Sequence, residues 1–237
     1  MLMSSTTLRK PAVSWQWRLW RQWVLANALG ETVGLGATLL IGAFLLGQAE
    51  PTIGAVPAVI LGVLAGTFIE GSVVGTSQWL VLRHPLPRMR WGVWMGATAL
   101  GACIAWTLGM IPSTVMTTGT ESGTSAAPGQ MSDLVIYALA AGLGLVTGSI
   151  LGAPQWLALR PHLPKAGWWV LANALAWAVG MVVIFIGTSF IPASGMTWSL
   201  ALLLLFFVAA AGTLVGAIHG LFLIWMLQLR EQAEKRP

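Results

Sequence analysis

Charge is what this chain of 237 residues most lacks. Lys and Arg total 12 and Asp and Glu 7, so that 8% of residues are charged, where a soluble domain carries about a quarter. Hydrophobic residues make up 57%. So few polar groups cannot cover a water-soluble globule, and lipid is expected to cover it instead. Cysteine is nearly absent: Cys103 stands alone in an apolar run, which excludes an internal disulfide and a multi-cysteine metal site. There is no phosphate-cradling glycine loop, no His-Glu-x-x-His and no credible Ser/His/Asp set, so no catalytic residues are assigned and an enzyme is not expected. The net charge of +5 does not point to nucleic acid, because the bases form no patch with interleaved stacking groups. Met1 to Ser14 has no apolar core, so a cleavable signal peptide is not expected either.

What is abundant is long apolar sequence. A membrane span takes roughly 20 apolar residues, and six runs qualify, at about 23–47, 57–82, 92–111, 134–159, 169–190 and 199–226. With six spans, Arg9, Lys10, Arg18, Arg21, Arg83, Arg88, Arg90, Arg160, Lys165, Arg230, Lys235 and Arg236 all fall on one side. The opposite loops carry Glu50, Glu121 and Asp133 and no base. By the positive-inside rule both termini are expected to be cytoplasmic, in a bacterial inner membrane. An odd number of spans would scatter those charges.

The chain also repeats itself. Gln78-Trp79-Leu80-Val81-Leu82-Arg83 returns at Gln155-Trp156-Leu157-Ala158-Leu159-Arg160. More than half the positions from 71–93 match 148–170, including Gly71/Gly148, Gly75/Gly152 and Pro87/Pro164. Residues 23–29 recur letter for letter at 169–175. The unit is a two-helix hairpin, at about 15–83, 88–160 and 165–230, the last copy degenerate at Trp225-Met226-Leu227-Gln228-Leu229-Arg230. Units with an even number of spans keep one orientation, so the hairpins are parallel rather than inverted repeats. The expected fold is therefore all-α: one membrane domain over 1–237, a six-helix bundle of three hairpins. The tandem Gln-Trp-Leu-x-Leu-Arg segments, each followed by a Trp-rich helix start, resemble those of uncharacterised bacterial integral membrane proteins. The resemblance implies a six-helix or similar membrane fold and brings no catalytic residues with it.

Small residues at four-residue spacing, Gly144/Gly148/Gly152 and Gly212/Gly216/Gly220 among them, suit close helix approach in lipid, where apolar surface alone does not drive association. On this basis the even-numbered spans are expected to form an inner ring. Trp23, Trp79, Trp94, Trp156 and Trp169 belong to a one-sided aromatic belt, and Trp79, Arg83, Trp156 and Arg160 read as interface anchors. Residues 14–22 suit a segment lying along the headgroups. The Ser/Thr/Gly-rich stretch 112–133 reads as a flexible outer loop.

Duplication leaves a few polar residues unexplained. Glu31 and Glu70 fall roughly 12 and 20 Å inside the interface at the helical rise, and they have no acidic counterpart, since Trp177 aligns with Glu31 and Thr147 with Glu70. Intramembrane carboxylates are costly in lipid and mark ion or substrate paths. Asn27, four residues before Glu31, shares its helix face. Two classes of function stay open. In the first, Glu31, Glu70 and Asn27 bind or conduct a small cation, a proton or a polar solute. In the second, the chain is an accessory or assembly subunit, in contact with other membrane subunits or copies of itself. In that class His219, flanked by Gly216 and Gly220, would ligate a chlorin or a haem, or the Trp belt would hold a lipid. No metal site is expected.

Overall fold

The computed structural model describes residues 14–44, 50–118, 132–191 and 197–235. They are helical, with no strand among them. The helices are α1 (Trp15–Phe44), α2 (Glu50–Ile53), α3 (Ala55–Ala65), α4 (Gly71–Leu82), α5 (Trp91–Thr118), α6 (Asp133–Leu159), α7 (Trp168–Thr188) and α8 (Trp198–Glu234). A π-helical turn, Gly66–Glu70, joins α3 to α4. Six stretches are long and apolar enough to cross a membrane: Trp15–Gly42, Val56–Leu82, Trp91–Gly109, Asp133–Leu159, Trp168–Thr188 and Trp198–Glu234.

Three boundaries differ from the sequence reading. Residues 15–22 are the first turns of α1 itself, because the helix runs on unbroken from Trp15. Residues 112–118 continue α5 through Pro112, so the region expected as an outer loop is helical where it begins. Residues 119–131 lie outside the described residues, and Asp133 already begins α6. Helix α8 extends past the apolar run to Glu234, where Arg230 Nε lies 3.5 Å from a Glu234 carboxylate oxygen.

The six spans close into a ring. Each packs against its neighbours along the chain, and α1 closes the circle against α8. The backbones of α4, α6 and α8 do not approach one another among the described residues, so an inner ring of closely packed even-numbered spans does not form. The glycines explain the difference, since their bare faces meet the adjacent helix. A Cβ on Gly148 would strike the Asn173 carbonyl and lie 2.9 Å from Ala174 Cα, while one on Gly71 would lie 2.7 Å from Ala99 Cα. On Gly212 it would meet Glu31 Cβ at 2.8 Å. The stripes thus seat α6 on α7, α4 on α5 and α8 on α1.

Antiparallel succession gathers the start of α1, the end of α4 and the α4–α5 turn at one end, with the α6–α7 turn and the end of α8. All described Lys and Arg residues lie there, and we call it the basic end. Its interior is a plug built on Trp23, Leu82, Leu86, Trp94, Leu159, Leu163, Trp169, Leu223 and Leu227. A second apolar cluster, with Leu35, Trp177, Ile184, Val208 and Val215, fills part of the half toward the other end. Large apolar side chains such as Leu25, Leu29, Phe68, Leu202 and Phe206 face outward from the ring, as lipid contact requires.

Candidate functional site

Beneath the plug lies a layer of buried polar side chains built from one contact that occurs three times. A Cβ on Gly75 would lie 3.1 Å from Met95 Cα and 3.2 Å from Thr98 Cβ. On Gly152 it would lie 3.1 Å from Val170 Cα and 3.0 Å from Asn173 Cβ, and on Gly216, 3.1 Å from Val24 Cα and 2.8 Å from Asn27 Cβ. Three residues after each glycine stands an acceptor for an indole. Trp94 Nε1–H donates to Gln78 Oε1 (3.2 Å), Trp169 Nε1–H to Gln155 Oε1 (2.9 Å) and Trp23 Nε1–H to His219 Nδ1 (2.9 Å).

Two expectations change here. Trp23, Trp94 and Trp169 are fully buried, so they belong to the interior rather than to an interfacial belt. His219 occupies the position that Gln78 and Gln155 hold in the other helices. An indole needs only an acceptor, and either an amide oxygen or an imidazole nitrogen provides one.

The layer is cross-linked. Gln78 Nε2–H donates to Asn27 Oδ1 (2.9 Å), and Gln155 Nε2 donates to Gln78 Oε1 (3.2 Å) and to Thr98 Oγ1 (2.9 Å). Asn27 and Asn173 each donate to the carbonyl four residues back, on Trp23 (2.7 Å) and Trp169 (3.0 Å). Both ends of the Asn27 amide are therefore engaged. Buried amides with satisfied partners hold helices in register in a medium that offers no water.

Glu31 and Glu70 lie on the side of this layer away from the plug, and both are buried, 3% and 7% exposed. They line one small polar cavity together with Gln78, Thr98, Gln155, Asn173 and His219. Its volume, about 20 Å³, suffices for one water, which needs on the order of 10–15 Å³. Glu70 ends the π turn, and such single turns widen a helix locally and recur at functional sites. The Trp106 indole lies where a Cβ on Gly66 would stand, and its Nε1–H donates to Glu70 Oε2 (2.8 Å). One Glu31 oxygen, Oε2, is buried with no hydrogen-bond partner, as is Thr67 Oγ1.

A larger cavity of about 190 Å³ shares Glu70, Ala102, Leu151 and Trp177 with the small one. It extends toward the end without bases, and its remaining walls include Leu35, Leu39, Trp106, Leu143, Met181 and Ile184. Glu70 and Thr147 are its polar lining residues, and the Thr147 hydroxyl donates to the Leu143 carbonyl (2.9 Å). Glu31 and Glu70 thus come together on one cavity, whereas Asn27 sits in the adjoining amide network and does not line either space.

The remaining candidates have structural surroundings. His219 is packed against the rings of Trp23 and Trp169, at 5.8 and 5.3 Å between centroids. Its Nδ1 accepts a proton-bearing indole, and the space beside it is about 20 Å³. A chlorin or haem does not fit there. Trp79 donates to the Met89 carbonyl (3.0 Å), closing the turn after α4, and the Arg83 guanidinium lies 5.4 Å from its ring centroid. Trp156 packs against the plug, and Arg160 is exposed at the end of α6. Among the described residues no three His, Cys, Asp or Glu side chains are grouped to hold a metal ion. The chain matches no protein-family model, and no curated protein and no solved structure matches it.

Sequence reasoning missed Gln78, Gln155 and Trp106. The two glutamines are the first letter of the repeated motif, whose Trp and Arg suffice to explain it at a helix end. Trp106 carried no signal, because it gains meaning only from lying across Gly66 beside Glu70.

Proposed function

We propose that this is a non-enzymatic, multi-pass protein of the bacterial inner membrane that binds a small cation or a proton at Glu31 and Glu70. The observation that carries the reading is the Glu31 oxygen left without a partner, beside a second buried carboxylate on the same cavity. An unpaired carboxylate oxygen in a membrane interior costs several kcal/mol, and a positively charged guest removes that cost. Three parallel hairpins arranged about the membrane normal provide the scaffold, with both termini and the basic end in the cytoplasm. The lipid bilayer is the chain's partner along its apolar perimeter, and no nucleic acid is involved.

Asn27 serves this site indirectly, by fixing α1 against Gln78 so that Glu31, one turn further along, faces the cavity. The plug seals the cytoplasmic half, while the apolar cavity lies on the other side of Glu70. Access therefore runs from the outer half, and the protein is a binding protein or one state of a carrier rather than an open channel. An accessory role built on a His219 pigment has no room in this packing.

Infrared difference spectroscopy in zwitterionic nanodiscs tests the site, because a cation that joins or displaces a proton changes the carboxyl stretching bands. Acidification should produce such bands in the native protein and lose them in Glu31→Gln/Glu70→Gln. Unchanged bands in the double variant would remove Glu31 and Glu70 from the site.

A further inference from the structure

The two cavities that meet at Glu70 differ sharply in chemistry, and the difference bears on what kind of cation fits. We infer that the ligand is a small organic ammonium, a charged nitrogen on a compact apolar body, rather than a bare inorganic ion. The inference rests on the reading of Glu31 and Glu70 as a cation site.

A metal cation must exchange its water for oxygen ligands, six to eight of them for Ca²⁺. In the larger cavity the oxygens in reach are few and partly used. Glu70 Oε2 accepts from Trp106, and the Thr147 hydroxyl is bonded to its own helix. A dehydrated metal ion there would face apolar walls on most sides. An ammonium with a carbon body needs fewer oxygens, since its nitrogen can meet Glu70, where the two cavities join, while its carbons lie on Leu35, Leu143, Met181 and Ile184. Apolar area covered in this way contributes roughly 25 cal/mol per Å². Trp106 and Trp177, which flank Glu70 on the same cavity, supply aromatic rings that suit an adjacent cation.

Size narrows the class further. A volume of about 190 Å³ is below the roughly 300–1,000 Å³ of pockets that hold drug-sized ligands. The guest is therefore a single ring or a short branched chain with one charged nitrogen. Trp106 stands across Gly66 with its N–H on Glu70, so an incoming ammonium meets that carboxylate from the side the indole leaves open.

The test is calorimetric titration of the full chain in zwitterionic nanodiscs with benzylammonium, with benzyl alcohol as an uncharged analogue of similar shape, and with NaCl and KCl. Benzylammonium should bind saturably, at least tenfold more tightly than benzyl alcohol, and should lose at least tenfold in Glu70→Gln. Ala105→Phe, which narrows the apolar cavity that Ala105 lines and adds or removes no polar group, should weaken benzylammonium by a similar factor while leaving the infrared carboxyl response to protons intact. That second variant separates the two readings and does not depend on Glu70→Gln folding. Equal binding of benzyl alcohol and benzylammonium would overturn the inference, as would Na⁺ or K⁺ excluding benzylammonium at equal concentration. No benzylammonium binding, with the infrared response preserved, would overturn it too and leave the cation site standing.

Discussion

Gly142 and Gly148 lie on the same helix and differ in one respect. A Cβ on Gly142 meets nothing within 4 Å, whereas one on Gly148 strikes the Asn173 carbonyl and approaches Ala174 Cα at 2.9 Å. Replacing either by alanine raises helix propensity by about 1 kcal/mol, so that gain cancels between the two variants. What remains is the overpacking at Gly148, typically about 1–3 kcal/mol. The atoms in the way are backbone, which cannot swing aside, and the penalty should fall at the upper end, about 3 kcal/mol. Reversible unfolding in mixed micelles of rising denaturing-detergent fraction measures both variants against the native chain. Gly142→Ala should match or exceed native stability, and Gly148→Ala should lie well below it. Equal stabilities would refute the seating of α6 on α7 through this stripe.

Other consequences follow from the polar layer and from topology. His219→Gln keeps an acceptor for the Trp23 indole and should stay within about 1 kcal/mol of native in the same assay, whereas His219→Leu leaves a buried N–H unpaired and should lose about 1–3 kcal/mol. Gly66→Ala pushes the Trp106 indole off the π turn, and should shift the carboxyl infrared bands of the resting protein as well as lowering stability by about 1–3 kcal/mol. In intact cells, a cysteine placed at Ser132 should react with an impermeant thiol reagent from outside, and one at His84 only after the membrane is opened; the reverse pattern would contradict the cytoplasmic placement of the basic end.

Much of the scaffold is legible in the letters. Six apolar runs anticipate the six long helices to within a few residues at most ends, because the span length is set by the bilayer and not by tertiary context. Glycines at four-residue spacing announce close helix contacts, but spacing cannot say which helix they meet, and the ring closes between neighbours rather than among α4, α6 and α8. Aligning the third hairpin on its Arg230 hides the kinship of His219 with Gln78 and Gln155, since the helix contact sets a different register from the letters. Trp23, Trp94 and Trp169 look like interfacial residues because they stand near helix starts or basic residues. Only the acceptors placed opposite them draw their indoles inward. Glu31 and Glu70 were visible as costs that a membrane segment does not carry without reason. Their shared cavity was not visible, because it depends on a π turn that shifts Glu70 by one residue's rotation and on an indole arriving from α5.

The central claim is that Glu31 and Glu70 receive a cation from the half of the bundle opposite the basic end. Charge displacement on a solid-supported membrane bearing oriented protein measures this directly. A step of cation applied to the base-free side should give a transient, saturable displacement, while the same step from the basic side gives none, and Glu70→Gln abolishes the signal. Displacement of equal size from the basic side, or its survival in Glu70→Gln, would contradict the assignment.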